Sequence, residues 1–205
     1  MIGVAGETVL PRRVVPQPVP DLHPGGDCGA CVLGGALGLG AAEVYSRLES
    51  KGITHKGEMQ RLLRVAVWRG LADRMIETSA EFRGDSRHWP AFGAPAFMES
   101  LAWFNYVRMA IDAGYYGLAM VDFKRGGGPD TDHWVLICGA RTEGAVSGKT
   151  ITGEVLVSCS ARSTAGRDEW VEARDFLRNR GGYDVLFVRP APAPAASPEE
   201  GGDGR

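Results

Sequence analysis

The amino-acid sequence predicts an α+β fold, with helices gathered in the N-terminal half and an antiparallel β-sheet in the C-terminal half. Two observations carry this. Apolar residues recur at helical spacing as far as Ala113, and from Tyr115 onward short β-branched and aromatic runs bounded by glycine-rich or polar segments replace them. The chain has 205 residues, 44% hydrophobic and 23% charged, a size and balance that suit one domain with its own core.

Residues 1–20 read as an extended N-terminal arm, because "PRRVVPQPVP" is punctuated by prolines that favour extended or polyproline backbone. A helix is expected from about Gly29, bent at Gly38 and Gly40, and a second over "AAEVYSRLES" with Val44, Tyr45 and Leu48 on one face. "GEMQRLLRVAVWRGLA" places Met59, Leu62, Leu63, Ala66 and Val67 at helical spacing and stops at Gly70. "PAFMESLAWFNYVRMAIDA" opens on a proline suited to a first helical turn, carries the stripe Phe97, Leu101, Phe104, Val107 and Ile111, and ends at Gly114. Four strands follow: "YYGLAMVDF", "HWVLICGA", "GEVLVSC" and "YDVLFVRP", with one helix, "DEWVEARDFLRN", between the last two. The domain is expected to span 21–190. The tail 191–205, "APAPAASPEEGGDGR", reads as disordered. Trp68, Trp89, Trp103, Phe97 and Phe104 read as core, whereas "RHWPAFGAP" is loop-like and suited to lining a cleft, with His88 on the surface. "KRGGGPDT" reads as a mobile loop beside His133; it lacks the spacing of a phosphate-binding loop.

The 23 basic and 25 acidic residues are interspersed, which argues against nucleic acid as a partner. The first residues lack the features of a secretory signal, and no stretch approaches the roughly 20 apolar residues of a membrane span. A cytoplasmic protein is the expectation, with no membrane partner. Four cysteines in a chain of this size make no disulfide framework, so the thiols are buried, ligating or catalytic.

The stretch that raises the question of chemistry is "HPGGDCGACVLGG". Cys28 stands where a helix begins, and unpaired amide groups and the positive end of the helix dipole favour thiolate there. The Cys28 amide is also placed to donate to an oxyanion. His133 opens the strand "HWVLICGA" and is a candidate base. The spacing Cys28-x-x-Cys31 equally suits a zinc or dithiol site, with Cys138, Cys159, His23 and His133 as further ligands. Against zinc there is no second such pair, and Cys31 opens an apolar run. No metal and no cofactor is expected.

A nucleophile at the start of the first helix, then a helical half, then a histidine opening a strand in a sheet-rich half, resembles the papain-like cysteine peptidases. Within them, "DCGACVLGGALGL" is similar to the Asp-Cys-Gly-x-x-Cys-Leu motif of the peptidase domain that cuts double-glycine leaders in bacteriocin-exporting ABC transporters. "KGEMQRLLRVAVWRGL", "DHWVLICG" and "DFLRNRGGYDVLFVRP" resemble later segments of that family. The resemblance covers roughly residues 20 to 190.

It implies a papain-like fold and a cysteine hydrolase, a peptidase or amidase acting on a peptide or protein, with Cys28 as nucleophile and His133 as general base. The family's glutamine, six positions before the cysteine, is Leu22 here, so His23 and Gln17 become the candidate oxyanion donors. Where the family places an Asp or Asn on the following strand, this chain has Ser158, Cys159 and Ser160, and a serine hydroxyl (Ser158 or Ser160) is the expected partner of the His133 ring, with Asp130 and Asp132 as alternatives. The same pattern suits an acyltransferase, or a binding domain that no longer cleaves.

Overall fold

The structure is a computed structural model and describes residues 6–18, 20–23, 26–53, 55–77, 95–122, 132–143, 152–160, 168–180 and 185–192. The expectations for Trp89, His88, Asp130, the 124–131 loop and most of the tail lie outside these residues.

Helix α1 (Cys28–Leu37) is apolar on every side, and each residue from Gly29 to Leu37 is buried. It ends where Gly38 takes a left-handed φ of 75°. Helix α2 (Ala41–Leu48) turns back and buries Ala41, Val44 and Leu48. Helix α3 (Lys56–Trp68) begins where the His55 ring accepts the Glu58 N–H at 3.1 Å and buries Met59, Leu62, Leu63 and Ala66. Trp68, expected in the core, is 81% exposed. Two residues beyond Ala66, it is turned roughly 200° from the buried stripe. Helix α4 (Pro95–Asp112) buries Trp103, Phe104, Val107, Ala110 and Ile111.

The described residues form one antiparallel sheet of seven strands. Its order is β2 (Ala72–Glu77), β7 (Val185–Pro190), β3 (Tyr116–Asp122), β4 (Asp132–Glu143), β5 (Thr152–Cys159) and β6 (Asp168–Glu172). The short β1 (Glu7–Val9) pairs with the second half of β4. The two-residue period of the strands divides the core. Trp134, Leu136, Cys138 and Leu156 pack with α1, α2 and α3 on one face; Val135, Ile137, Val157 and Cys159 pack with α4 and α5 (Ala173–Arg180) on the other. The α+β class is therefore present, and among the described residues no single helix is long and apolar enough to cross a membrane.

Besides the short β1, two elements differ from expectation. "DEWVE" is not helical: it pairs along β5, with Trp170 opposite Leu156 and Val171 opposite Val155, and the helix begins only at Ala173. Trp170 also lies under the Arg141 guanidinium, 4.4 Å from the ring centre. β2, "ADRMIE", carries too many charges to read as a strand, and forms one because β7 offers it an edge.

The proline-rich arm lies across the domain. Leu10 donates its N–H to Cys138 O at 2.8 Å, the Arg12 N–H goes to the Tyr116 hydroxyl at 3.0 Å, and Arg12 Nη1 reaches Ala36 O at 2.8 Å. Val14 is buried between α1 and the sheet. The approach requires Gly35, where an added Cβ would stand 2.5 Å from Arg13 O and 2.8 Å from Val14 Cα. Gly35→Ala is expected to lift the arm and lower stability by about 2 kcal/mol, measurable by urea unfolding, with faster protease cleavage within residues 11–18.

Candidate functional site

The turn from Leu22 to Asp27 delivers the chain into α1. Asp27 is fully buried, and its carboxylate organises this turn: Oδ2 accepts the Leu22 N–H and Oδ1 accepts the Tyr45 O–H, each at 2.6 Å. Burial and this carboxylate push the Tyr45 phenol upward, so it stays a donor. Because Asp27 bonds elsewhere, it makes no side-chain cap to the first turn of α1.

Cys28 is the first residue of that turn and is half-buried. The N–H groups of Trp134, Gly29 and Cys28 itself favour its thiolate, but burial outweighs them and the thiol lies above its ordinary range. The dipole expectation for Cys28 is thereby corrected: water withdrawn from the sulfur costs the charged form more than the helix terminus returns.

His133 is half-buried and lies one residue before Trp134, whose backbone N–H favours the Cys28 thiolate. Burial lowers the imidazole to about 4, so the ring is neutral at pH 7. Its Nε2 stands 3.2 Å from Cys159 Sγ. Cys159 is also near enough to Cys28 to disfavour a second negative charge there. The imidazole and the Cys159 thiol thus meet where the pairing of β4 with β5 ends, at Val135 opposite Cys159.

The expected serine partner of His133 gives way to this thiol. Strand alternation puts Ser158 on the α1 face, where its hydroxyl accepts the Val14 N–H at 3.3 Å, and sends Cys159 to the opposite face with Val135. Ser160 is buried, and its hydroxyl has no hydrogen-bond partner among the described residues. Asp132 begins β4 and pairs with Asp122.

The two oxyanion candidates separate. Gln17 reaches the turn carrying Cys28: a Cβ added at Gly26 would stand 3.5 Å from Gln17 Nε2. The His23 ring is engaged with Gly52 and lies 6.1 Å from the Tyr45 ring.

Cys31 is fully buried and pushed up to about 12, chiefly by burial, with its Sγ 3.8 Å from Pro16 O. Cys138 is likewise buried, pushed up to about 12, with its Sγ 3.7 Å from Leu156 O. The ligand set that a zinc site needed is therefore dispersed, and among the described residues no group of three or more His, Cys, Asp or Glu side chains is placed to hold a metal ion. The sequence signal missed Asp27 as organiser of the turn, although the acid directly before Cys28 was visible. It missed Cys159 as well, because the β4–β5 register decides which residue meets the ring.

Comparison with protein-family models, with curated proteins and with solved structures finds no match.

Two outcomes follow from the electrostatics. The resting Cys28 thiol is expected to react with iodoacetamide at pH 7 more slowly than free cysteine, the rate still rising at alkaline pH; loss of the adduct in Cys28→Ala, read by peptide mapping, assigns the rate to Cys28. Below the unfolded histidine value of 6.5 the unfolded chain takes a proton that folded His133 refuses, so stability falls as pH drops from about 6.5 to about 4. Urea unfolding should show a loss on the order of 2 kcal/mol across that window, largely absent in His133→Gln.

Proposed function

We propose that the protein is a cysteine hydrolase of papain-like type, a peptidase or amidase acting on a peptide or protein through a thioester on Cys28. The observation that carries this is the placement of Cys28 at the uncapped first turn of α1, its sulfur against the Trp134 amide next to His133.

The neutral resting pair defines the first step. Because the thiol is raised and the imidazole lowered, no thiolate–imidazolium pair stands ready, and His133 takes the Cys28 proton as the sulfur attacks the substrate carbonyl carbon. The oxyanion receives the Cys28 N–H and the Gln17 amide, the donor that reaches this turn. Collapse breaks the C–N bond; the amine leaves with the proton held by His133. Water, deprotonated by the same ring, then attacks the thioester and releases Cys28 as the thiol.

The same neutral pair also favours a second reading, a domain that binds peptides without cleaving them. Acylation separates the two. With p-nitrophenyl acetate and mass mapping of the full chain, a thioester is expected on Cys28, absent in Cys28→Ala, slowed about 10²-fold or more in His133→Ala, and within about threefold of wild type in Cys31→Ala. Absence of any adduct in the wild type selects the binding domain, and a Cys28→Ala protein that acylates at the full rate on Cys159 overturns the assignment.

A further inference from the structure

Among the described residues, two buried side-chain polar atoms have no hydrogen-bond partner, Trp134 Nε1 and Ser160 Oγ. The sheet sets them side by side. Leu136 pairs with Ser158 and Val135 with Cys159, so the next antiparallel step of the same register puts Trp134 opposite Ser160. Strand alternation turns both toward α1: the Trp134 side chain packs in the core that contains α1, and Ser160 lies two residues beyond Ser158, whose hydroxyl meets Val14 on that face. Side chains directly opposite on one face have Cβ atoms about 5 Å apart. Ser158 marks the contrast, since the arm supplies its hydroxyl with the Val14 N–H and Ser160 receives no such partner.

Burying a hydrogen-bonding group without a partner is costly, and folded proteins satisfy nearly all of them. An indole N–H only donates and a hydroxyl can donate beside it, so the group that completes both is an acceptor oxygen. Each atom is closed to solvent in the resting chain, and the acceptor enters only as the packing around it gives way. The place is next to the chemistry, because the backbone N–H of the same Trp134 favours the Cys28 thiolate. We propose that Trp134 Nε1–H and Ser160 O–H form a two-donor subsite for one amide carbonyl oxygen in the acyl part of the substrate, closed in the unliganded chain and completed by that oxygen. This rests on the reading of Cys28 as the nucleophile of a peptidase or amidase. A peptide offers such a carbonyl one residue before the bond that is cleaved, about 3.5 Å along an extended chain, and a simple acetyl group does not. The subsite therefore selects peptide-like acyl groups. Because neither donor is bonded at rest, removing the Ser160 hydroxyl costs the resting fold nothing.

The test compares acylation of the full chain by p-nitrophenyl N-acetylglycinate, which carries the extra amide carbonyl, and by p-nitrophenyl acetate, which lacks it, each rate divided by that with free cysteine. Wild type is expected to favour the first by about 10-fold or more in kcat/KM, and Ser160→Ala and Trp134→Phe to bring the ratio within about threefold of one. Urea unfolding of Ser160→Ala is expected to give a midpoint equal to or above that of wild type. In Cys28→Ala, the Trp134 indole ¹⁵N–¹H resonance, assigned by its loss in Trp134→Phe, is expected to shift on addition of N-acetylglycinamide. A wild-type ratio near one, a ratio unchanged in both variants, or a lower midpoint in Ser160→Ala, the sign of a hydroxyl already partnered at rest, overturns the proposal. If neither ester acylates the chain, an indole resonance that moves with N-acetylglycinamide keeps the subsite and removes the hydrolase reading alone; one that stays in place overturns the subsite as well.

Discussion

Complete burial of α1 is the constraint on which the rest of the molecule depends. Gly29, Gly34 and Gly35 weaken the helix by roughly 0.5–1 kcal/mol each relative to alanine, so its own propensity does not hold it in place. Packing does. A Cβ at Gly29 would run into Ile53, one at Gly34 into Leu39 O, and one at Gly35 into the arm, so each glycine marks a surface pressed directly onto the helix backbone. The remaining side packs on β4 and its neighbours through Trp134, Leu136 and Leu156. Locked on all sides, α1 sets its first residue against the Trp134 amide, and Cys28 inherits its position from the whole core.

The same burial determines the electrostatics. An exposed helix terminus favours a thiolate, but at this one the sulfur has lost much of its water, and the three nearby N–H groups offset only part of the cost. His133 meets the complementary penalty, since its charged form is the one burial disfavours. Both groups rest neutral for one reason, the loss of water around each. In the proposed hydrolysis, charge then develops during the reaction and not before it, which places weight on the donors proposed for the oxyanion, the Cys28 amide and Gln17.

The turn before α1 and the arm that carries Gln17 are held by contacts elsewhere in the fold. Asp27 ties the turn before α1 to Tyr45 of α2 through two short hydrogen bonds, a buried carboxylate satisfied by neutral donors. The arm brings Gln17 to Gly26 because Leu10, Arg12 and Val14 are each bonded to the sheet or to Tyr116 along the way. By comparison, the Arg61–Glu58 and Arg189–Asp73 ion pairs are largely solvent-exposed and contribute little to this architecture.

Local patterning in the sequence was enough for the helices α1 to α4, the strands β3, β4, β5 and β7, and the distinction between Cys28 at a helix start and Cys31 within an apolar run, since these depend on neighbours in the chain. β1, β2 and β6 were not legible, because "ETV", "ADRMIE" and "DEWVE" become strands only when β4, β7 and β5 present edges to them. The site divides in the same way. That Cys28 and His133 are the residues to examine was readable from the sequence, whereas the tertiary structure alone decided that Cys159 and not a serine faces the imidazole, and that both groups rest uncharged. Register and burial are properties of the assembled sheet and core, and no local spacing encodes either one.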